Sequence, residues 1–176
     1  MRLAPEKFAE AEEIVSLCSL RAGAELFGID TREIREVLGT SAPQPVPLAP
    51  GYIAGVLPYR GEVLTTVSLR ALLGLEERSG ANCVLVLEDE ELGEQFGLMV
   101  DGVGGVVTMM PSELAGNPST LEARSAALFD GVYKMKTGLM VRLDPQRLRP
   151  LELARSGLFG AAKQGRVEQF RTTEMK

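Results

Sequence analysis

Short apolar runs, many alternating with polar residues and separated by glycine-containing turns, recur along most of the chain. A period of two places successive side chains on opposite faces, so these runs predict β-strands rather than long helices. Consecutive runs form four predicted hairpins: Ile14–Leu20 with Leu26–Ile29, Val56–Arg60 with Val63–Val67, Cys83–Leu87 with Gln95–Val100, and Leu128–Lys134 with Leu139–Leu143. About eight to ten short strands indicate a mainly β protein of closed or nearly closed barrels, and a single sandwich fits almost as well.

One short helix is predicted directly after the first hairpin. Asp30 can accept hydrogen bonds from free backbone N–H groups, and Glu33 three residues later completes a capping box. The apolar face of this helix would comprise Ile34, Val37 and Leu38, which recur at helical spacing. The glycine that follows them is expected to end the helix.

Proline, glycine and capping residues predict the structure of the remaining segments. Four prolines between Pro43 and Pro50 exclude a helix or a central strand and predict an extended connector. Gly61-Glu62 is the predicted turn of the second hairpin. Ser68 and Asp144-Pro145 predict the starts of two further short helices. Three glycines within 101–108 predict a strand with bulges, and no internal repeat is apparent in the sequence.

The composition excludes several kinds of chemistry. The chain has no histidine, which excludes a Ser-His-Asp triad, a Cys-His dyad, most zinc sites and a phospho-accepting histidine. A net charge of −5 argues against nucleic-acid binding. No phosphate-binding loop and no set of residues with metal-ligand spacing is present, so no catalytic residue, cofactor or metal is predicted. Cys18 and Cys83 lie in apolar runs and are expected to be reduced thiols of the core.

The sequence predicts a soluble, cytoplasmic protein. Its first residues lack an apolar stretch of the kind found in signal peptides, and no run approaches the roughly 20 apolar residues that a membrane span requires. Residues 155–176 contain five basic and two acidic residues, a tail of net charge +3 on an acidic body. Such a tail is usually a solvated chain end.

The residues leave open two alternatives to a protein-binding role. A small-ligand-binding or enzymatic β-barrel would use Asp101, Asp130 or Asp144, although Asp101 beside a glycine favours a turn-capping role. The acidic turn Glu88–Glu91 is expected to be solubilising surface. An oligonucleotide-binding barrel is disfavoured by the acidic charge and by the nine Phe and Tyr residues available for stacking.

The most informative segment is the central hairpin between Gly55 and Leu69. Arg60 lies just before the turn glycine, Gly61, and Tyr59 is one of only three tyrosines in the chain. Arginine and tyrosine offer large amphipathic contact areas and are enriched at interaction hot spots. The hairpin end is therefore a candidate site for binding another protein.

The order of the motifs resembles the CheW family of chemotaxis coupling proteins. The matching segments are FGID (27–30), IREVLG (34–39), the segment from Gly55 through Arg60-Gly61 to Leu69-Arg70, GLMVDGVGGVV (97–107), and the last hairpin with its helix, FDGVYKM to GLMVRLDPQRL (129–148). The resemblance covers roughly residues 13–153. It divides the chain into an N-terminal extension (1–12), a CheW-like domain (13–153) and a C-terminal tail (154–176), helical or disordered.

The resemblance implies a fold and a function. The fold would be two intertwined five-stranded Src-homology-3-like barrels with a few short helices. The function would be that of an adaptor without catalysis, which links the cytoplasmic tip of a methyl-accepting chemoreceptor to the regulatory domain of a CheA-type histidine kinase at membrane-associated receptor arrays. An apolar groove between the barrels, rimmed by Arg60 and Glu36, would accept a receptor helix. The residues that fall on the family's partner-binding surfaces are Ile34, Glu36, Val37, Gly55, Tyr59, Arg60, Gly61 and Val103.

The chain departs from the family pattern at three positions. Pro58 and Tyr59 replace the usual Asn-Leu before the arginine, and Ser68 replaces the usual Asp. Pro58 cannot donate a ladder hydrogen bond, so its strand is expected to be an edge strand or locally bulged. These changes would suit an alternative chemosensory pathway, such as one controlling type IV pili or cyclic-di-GMP synthesis.

Overall fold

The computed structural model describes residues 12–159, in which ten strands form two five-stranded sheets. The strands are β1 (Val15–Ala22), β2 (Glu25–Asp30), β3 (Ile34–Thr40), β4 (Ile53–Tyr59), β5 (Glu62–Ser68), β6 (Cys83–Asp89), β7 (Glu94–Val100), β8 (Gly102–Met109), β9 (Phe129–Met135) and β10 (Gly138–Leu143). The helices are α1 (Leu69–Leu72), α2 (Ala123–Ala126), α3 (Pro145–Leu148) and α4 (Pro150–Ser156). Two single 3-10 turns lie at Thr31–Glu33 and Pro111–Glu113. The predicted mainly β class with few short helices is confirmed.

Each sheet closes on itself as a barrel. Barrel 1 has the strand order β8-β1-β2-β10-β9, and barrel 2 has the order β3-β6-β7-β5-β4. In each barrel, the segment that follows the first strand of this order forms an isolated β-bridge with the last strand. The segment after β8 bridges to β9, and the segment after β3 bridges to β4. The bridges are Ala115–Val132 in barrel 1 and Gln44–Val56 in barrel 2, each with two backbone hydrogen bonds of 2.9 Å.

Glycines make both closures possible. Gly55 and Gly131 directly precede the bridged valines, and their φ angles are +149° and +150°. A Cβ on Gly55 would lie 2.2 Å from the backbone oxygen of Gln44, and one on Gly131 would lie 2.5 Å from that of Ala115. Gly55, expected at a partner surface, is therefore buried at a point where only glycine lets two backbone segments meet.

The two barrels share the chain in an intertwined order. The hairpin β1–β2 belongs to barrel 1, strands β3 to β7 to barrel 2, and strands β8 to β10 to barrel 1 again. The pairings repeat as well, because β2 pairs in parallel with β10 just as β7 pairs in parallel with β5. Each half of the domain thus gives one hairpin to one barrel and three strands to the other. The fold therefore contains a structural repeat, although no repeat is apparent in the sequence.

Apolar side chains occupy three separate cores. The largest, the shared core, lies between the barrels and includes Leu20, Phe27, Ile29, Leu85, Leu87, Phe96 and Leu98. The core inside barrel 1 contains Leu17, Met109, Tyr133 and Met140, and the core inside barrel 2 contains Tyr59, Leu64 and Val86. Some strands are therefore buried on both faces. In β2, for example, Phe27 and Ile29 face the shared core while Leu26 packs against the core of barrel 1.

The helix predicted from Asp30 onward is wrong beyond its first turn. Asp30 does accept a hydrogen bond from the backbone N–H of Arg32, but only the 3-10 turn follows, and residues from Ile34 form strand β3. A bulge between Ile34 and Glu36 inserts one residue, so Ile34 pairs with Leu87 and Val37 pairs with Leu85. Because of the bulge, Ile34 and Val37 lie on the same face of β3 although they are three residues apart. This spacing imitates the period of a helix.

Most other local predictions are confirmed. All four hairpins form, although the second turns at Arg60-Gly61, one residue earlier than expected. Ser68 and Asp144 cap α1 and α3 through hydrogen bonds from backbone N–H groups. Pro150 divides the expected terminal helix into α3 and α4. Strand β4 lies at the edge of its sheet, one of the two arrangements that Pro58 was expected to allow.

The cysteines and the chain ends complete the comparison with the sequence. Cys18 is buried, Cys83 is half-buried, and both are free thiols, as predicted. Phe159 lies within the predicted tail but packs into the shared core, so the ordered part continues beyond residue 153. The rest of the tail and nearly all of the 1–12 extension lie outside the described residues. Among residues 12–159, no helix has the length and apolar character needed to span a membrane.

Candidate functional site

The end of the β4–β5 hairpin presents a guanidinium on a strained turn. Arg60 and Gly61 have φ angles of +48° and +81°, so the two-residue turn requires the left-handed region at both positions. Asparagine or glycine usually occupies the first position, and an arginine there costs conformational energy. The Arg60 side chain is 70% exposed.

Three side chains meet at this hairpin end, and we call them the Arg60 cluster: Glu36, Tyr59 and Arg60. The Tyr59 hydroxyl donates to Glu36 Oε2 at 2.7 Å, and Arg60 Nη2 donates to the same oxygen at 3.2 Å. The Arg60 guanidinium also lies 5.2 Å from the centroid of the Tyr59 ring. The single carboxylate of Glu36 therefore positions both residues that the sequence singled out.

The electrostatics of the cluster keep Glu36 ionised. The hydrogen bond from Tyr59, and then that from Arg60, lower the pKa of the Glu36 carboxyl below its ordinary value. The same hydrogen bond to Glu36 raises the pKa of the Tyr59 phenol, so Tyr59 remains a donor at neutral pH. The cluster thus carries a fixed anion and an exposed cation side by side.

The Arg60 cluster lies over the core of barrel 2. The Tyr59 ring is buried there with Leu64 and Val86. A shallow cavity of about 180 Å³ adjoins it, lined by Tyr59, Glu62, Val63, Leu64, Gly93 and Gln95. All residues that line this cavity belong to barrel 2, and the shared core lies between the barrels. The groove that Arg60 and Glu36 were expected to rim remains a prediction.

The other predicted site residues lie apart from this cluster. Ile34 and Val103 are half-buried against the shared core, where they occupy equivalent positions in β3 and β8. Val37 is 44% exposed on the outward side of edge strand β3. The structure therefore brings Glu36, Tyr59, Arg60 and Gly61 together and separates them from Ile34, Val37, Gly55 and Val103.

Strands β1 and β8 carry a second exposed surface, which the sequence analysis did not predict. On the outward side of β1 and β8, Val106 pairs with Cys18, and Ile14 and Met110 extend the two strands. Ile14, Val106 and Met110 are 60%, 63% and 44% exposed, and the neighbouring Ser16 and Thr108 are small and uncharged. We call this uncharged surface the β1–β8 face. It continues from the edge of the shared core at Leu20 and Val103, which pair on the same side of the two strands.

Two buried ion pairs clamp the barrels together. Asp101 Oδ2 accepts a hydrogen bond from the backbone N–H of Gly23 at 2.7 Å and one from Arg70 Nη1 at 2.6 Å. Arg149 Nη1 donates to Asp89 Oδ2 at 3.1 Å. Asp101 thus caps the distant turn at Gly23 rather than the turn beside Gly102 that the sequence suggested, and Asp89 is buried rather than part of a solvated acidic turn.

The carboxylates proposed for an enzymatic or ligand-binding barrel do not converge on one site. Asp101 belongs to the clamp, Asp130 pairs with Arg142 at 3.4 Å, and Asp144 caps α3 and pairs with Arg147 at 3.1 Å. Within the described part of the chain, no three His, Cys, Asp or Glu residues are placed to hold a metal ion. Each carboxylate has a local structural partner instead.

Comparisons with known proteins agree with this architecture. The family model described as CheW-like domain matches residues 16–151. The chemotaxis protein CheW of Treponema pallidum (strain Nichols) is 25% identical over 78% of this chain and 83% of its own, and that of Rhizobium meliloti (strain 1021) is 24% identical over 77% and 88%. The scaffolding protein TtCheW from Thermoanaerobacter tengcongensis superposes with a TM-score of 0.67 at 21% identity, over 75% of this chain and 90% of its own. The two barrels are thus the Src-homology-3-like pair of the CheW fold, and the chain belongs to the CheW-like domain family.

Proposed function

We propose that this protein is a chemosensory adaptor that couples chemoreceptors to a CheA-type histidine kinase without catalysing a reaction. Membership of the CheW-like family supports the proposal, as do relatives that are named chemotaxis proteins and a structural neighbour named a scaffolding protein. The absence of histidine from the sequence means that the chain offers no phospho-accepting imidazole. Its contribution to signalling would therefore be made by binding.

The Arg60 cluster is the observation on which the proposal rests, and we assign it to the kinase regulatory domain. Arg60 donates a hydrogen bond to Glu36, and its side chain is 70% exposed, so most of its five N–H donors face solvent. The guanidinium is held in place by the ring of Tyr59 and by the carboxylate, which reduces the entropy lost on binding. A partner carboxylate could then take two donors of the fork at once.

The β1–β8 face fits the second proposed partner, the receptor tip. A helix is a convex rod, and its apolar side needs a flat or concave apolar surface on which to lie. Val106, Ile14 and Met110 supply exposed apolar area, while the small side chains between them allow close approach. The residues that define this face are uncharged, so binding an apolar helix side would not require their desolvation as ions.

The two barrels would act as a rigid spacer between these surfaces. The shared core and the two buried clamps connect barrel 1, which carries the β1–β8 face, with barrel 2, which carries the Arg60 cluster. A change in one bound partner can then shift the equilibrium of the other through a fixed geometry. The adaptor would work in the cytoplasm, recruited to membrane-associated receptor arrays.

The departures at Pro58 and Tyr59 favour an alternative pathway over swimming chemotaxis. Both residues adjoin Arg60 at the exposed end of edge strand β4, so they would alter what the hairpin recognises. Outputs of this kind include type IV pili and cyclic-di-GMP synthesis. Expression in a strain that lacks its own coupling protein tests the assignment, and restored swimming would contradict it.

Titration calorimetry against the kinase regulatory domain and a receptor tip tests the adaptor proposal. Arg60→Ala should weaken kinase binding by roughly 10- to 100-fold while receptor binding is unchanged, because hot-spot arginines contribute at that level. Arg155→Ala is the matched control, since Arg155 is also exposed and paired with a nearby glutamate. Failure of the wild-type chain to bind either partner would refute the proposal.

A further inference from the structure

The structural repeat makes the parallel seam of barrel 1, between β2 and β10, equivalent to that of barrel 2, between β7 and β5. Gly28 in β2 and Gly97 in β7 each follow a phenylalanine, and each pairs across its seam. Their partners, Arg142 and Thr66, each lie ten residues after the bridged valine of the same barrel. The two glycine pairs therefore occupy the same position in the two barrels.

The two seams are paired on opposite sides of this position. In barrel 1 the parallel pairing covers residues 26–28 of β2 and so ends at the glycine. In barrel 2 it covers residues 97–99 of β7 and so begins at the glycine, although β5 starts at Glu62 and β7 at Glu94. The starts of β5 and β7 are thus unpaired with each other where barrel 1 is paired. We call residues 62–65 and 94–96 the β5–β7 split.

The β5–β7 split offers free backbone groups beside a cavity. The cavity of about 180 Å³ next to Tyr59 is lined from both strand starts, by Glu62 and Val63 on one side and Gln95 on the other. Tyr59 and Glu62 flank the two-residue turn and form a hydrogen-bonded pair, so the N–H and C=O of Val63 point away from β4 and toward the split. An added extended segment could pair with these groups.

The surface around the split is acidic. Glu62 and Glu90–Glu91 are exposed, and none of these carboxylates has an ion-pair partner among the described residues. Glu94 is 53% exposed and reaches Arg149 only at 3.8 Å. Val63 and Leu92, 72% and 62% exposed, lie among these carboxylates in the chain. A basic segment with a few apolar side chains therefore complements the split.

Residues 160–176 of this chain have that composition. They contain four basic and two acidic residues, a net charge of +2 in a chain of net charge −5. Val167 and Phe170 lie between Arg166 and Arg171, and valine, phenylalanine and threonine favour extended backbone. The chain thus carries its own basic segment of the kind that the split would accept.

The segment is long enough to reach the split from the point where it leaves the described fold. Phe159 is buried, with its ring centroid 6.3 Å from that of Tyr52, and the Tyr52 carbonyl accepts from the N–H of Ser68 at the end of β5. The split lies at the start of the same strand, about 20 Å away at ~3.3 Å per residue. About seven extended residues cover that distance, so the chain from Arg166 onward can reach it.

We propose that residues 160–176 bind the β5–β7 split of their own chain, with Arg166 and Arg171 beside its carboxylates and extended backbone along Val63. Attachment to the same chain gives an effective concentration on the order of millimolar, so a weak interaction suffices. Tyr59 lines the split and belongs to the Arg60 cluster, so the docked segment borders that cluster. The inference does not rest on the proposed function, since it concerns contacts within one chain.

Hydrogen exchange of the full chain at pH 7, measured by mass spectrometry on peptides that cover residues 62–65, tests the inference. The Val63 amide should exchange roughly tenfold faster in Arg166→Glu/Arg171→Glu than in the wild type, because like charges then repel. Lys134→Glu/Lys136→Glu, at exposed lysines of the β9–β10 hairpin, reverses as many charges and should exchange like the wild type. Adding Glu62→Lys/Glu91→Lys to the arginine variant should restore slow exchange.

The outcomes decide between docking within one chain and its alternatives. Equal exchange in the wild type and the arginine variant would overturn the inference, and so would an equal effect of the lysine control. Fast exchange that the reversed glutamates do not restore would also overturn it, because the arginines would then act elsewhere. Protection that rises with protein concentration would assign the split to the segment of a second copy. Faster exchange in the arginine variant alone, with recovery on charge reversal at every concentration, would establish the docking.

Discussion

Removing the carboxylate of Asp101 should loosen the connection between the two barrels. The Asp101 side chain is 8% exposed, and its Oδ2 accepts hydrogen bonds from Arg70 of α1 on barrel 2 and from the Gly23 backbone in the β1–β2 turn of barrel 1. Hydrogen bonds to a charged group contribute about 1.5–3 kcal/mol each. Asp101→Ala would also leave the Arg70 guanidinium, 18% exposed, without its anion. We therefore expect a loss of about 3–5 kcal/mol, a large part of the ~5–15 kcal/mol that stabilises a typical domain.

Urea denaturation followed by far-UV circular dichroism measures this loss. A double-mutant cycle with Arg70→Ala isolates the ion pair and should give a coupling energy of about 1.5–3 kcal/mol. Arg155→Ala, which removes an exposed ion pair with Glu152, should change stability by less than about 0.5 kcal/mol. A loss below about 1 kcal/mol in Asp101→Ala, with no coupling to Arg70, would mean that the apolar shared core alone holds the barrels together.

Three further predictions follow from the topology and from the buried charges. Gly55→Ala should prevent closure of barrel 2 and lower the urea midpoint far more than Gly61→Ala does. The reason is that a Cβ at Gly61 meets no atom within 4 Å. Equal midpoints of the two variants would refute the role of Gly55 in closure. Proteolytic nicking within the exposed segment 76–81 should leave two fragments that co-elute on gel filtration, since each half contributes strands to both barrels. Separation of the fragments would contradict this. Burial, and then the carboxylates of Asp30, Asp144 and Asp89, raise the pKa of Glu33, so stability is lost as pH rises through the ordinary glutamate range near ~4.3 to the raised value. Glu33→Gln should accordingly raise the urea midpoint at pH 7 and not at pH 4, and a gain of equal size at both values would exclude this origin.

Local features of the fold could be predicted from the sequence because they depend on neighbouring residues. The hairpins follow from alternating apolar runs, and the caps at Ser68 and Asp144 follow from side chains that reach their own helix. The strand at Ile34–Thr40 could not be predicted in this way. Its pattern fits a helix locally, and only pairing with β6 and the bulge after Ile34 decide in favour of a strand.

The candidate site, too, has features that the local sequence predicts and features that depend on distant contacts. Tyr59 and Arg60 were identified from residue type and position at a hairpin end. Their contact with Glu36, 23 and 24 residues earlier in the chain, depends on the barrel that brings β3 beside β4. The exposure of the β1–β8 face could not be predicted, because apolar residues in strands are more often covered than exposed.

The sequence alone determined the β class, the positions of the turns and most caps, and the resemblance to a family of coupling proteins. These depend on short-range periodicity, on backbone preferences of glycine and proline, and on side chains that bond within a few residues. Only the tertiary structure decided how the strands are shared between two barrels, which carboxylates are buried as clamps, and which apolar side chains remain exposed. Those outcomes depend on contacts between residues far apart in the chain, and a one-dimensional pattern carries no measure of which distant surfaces cover one another.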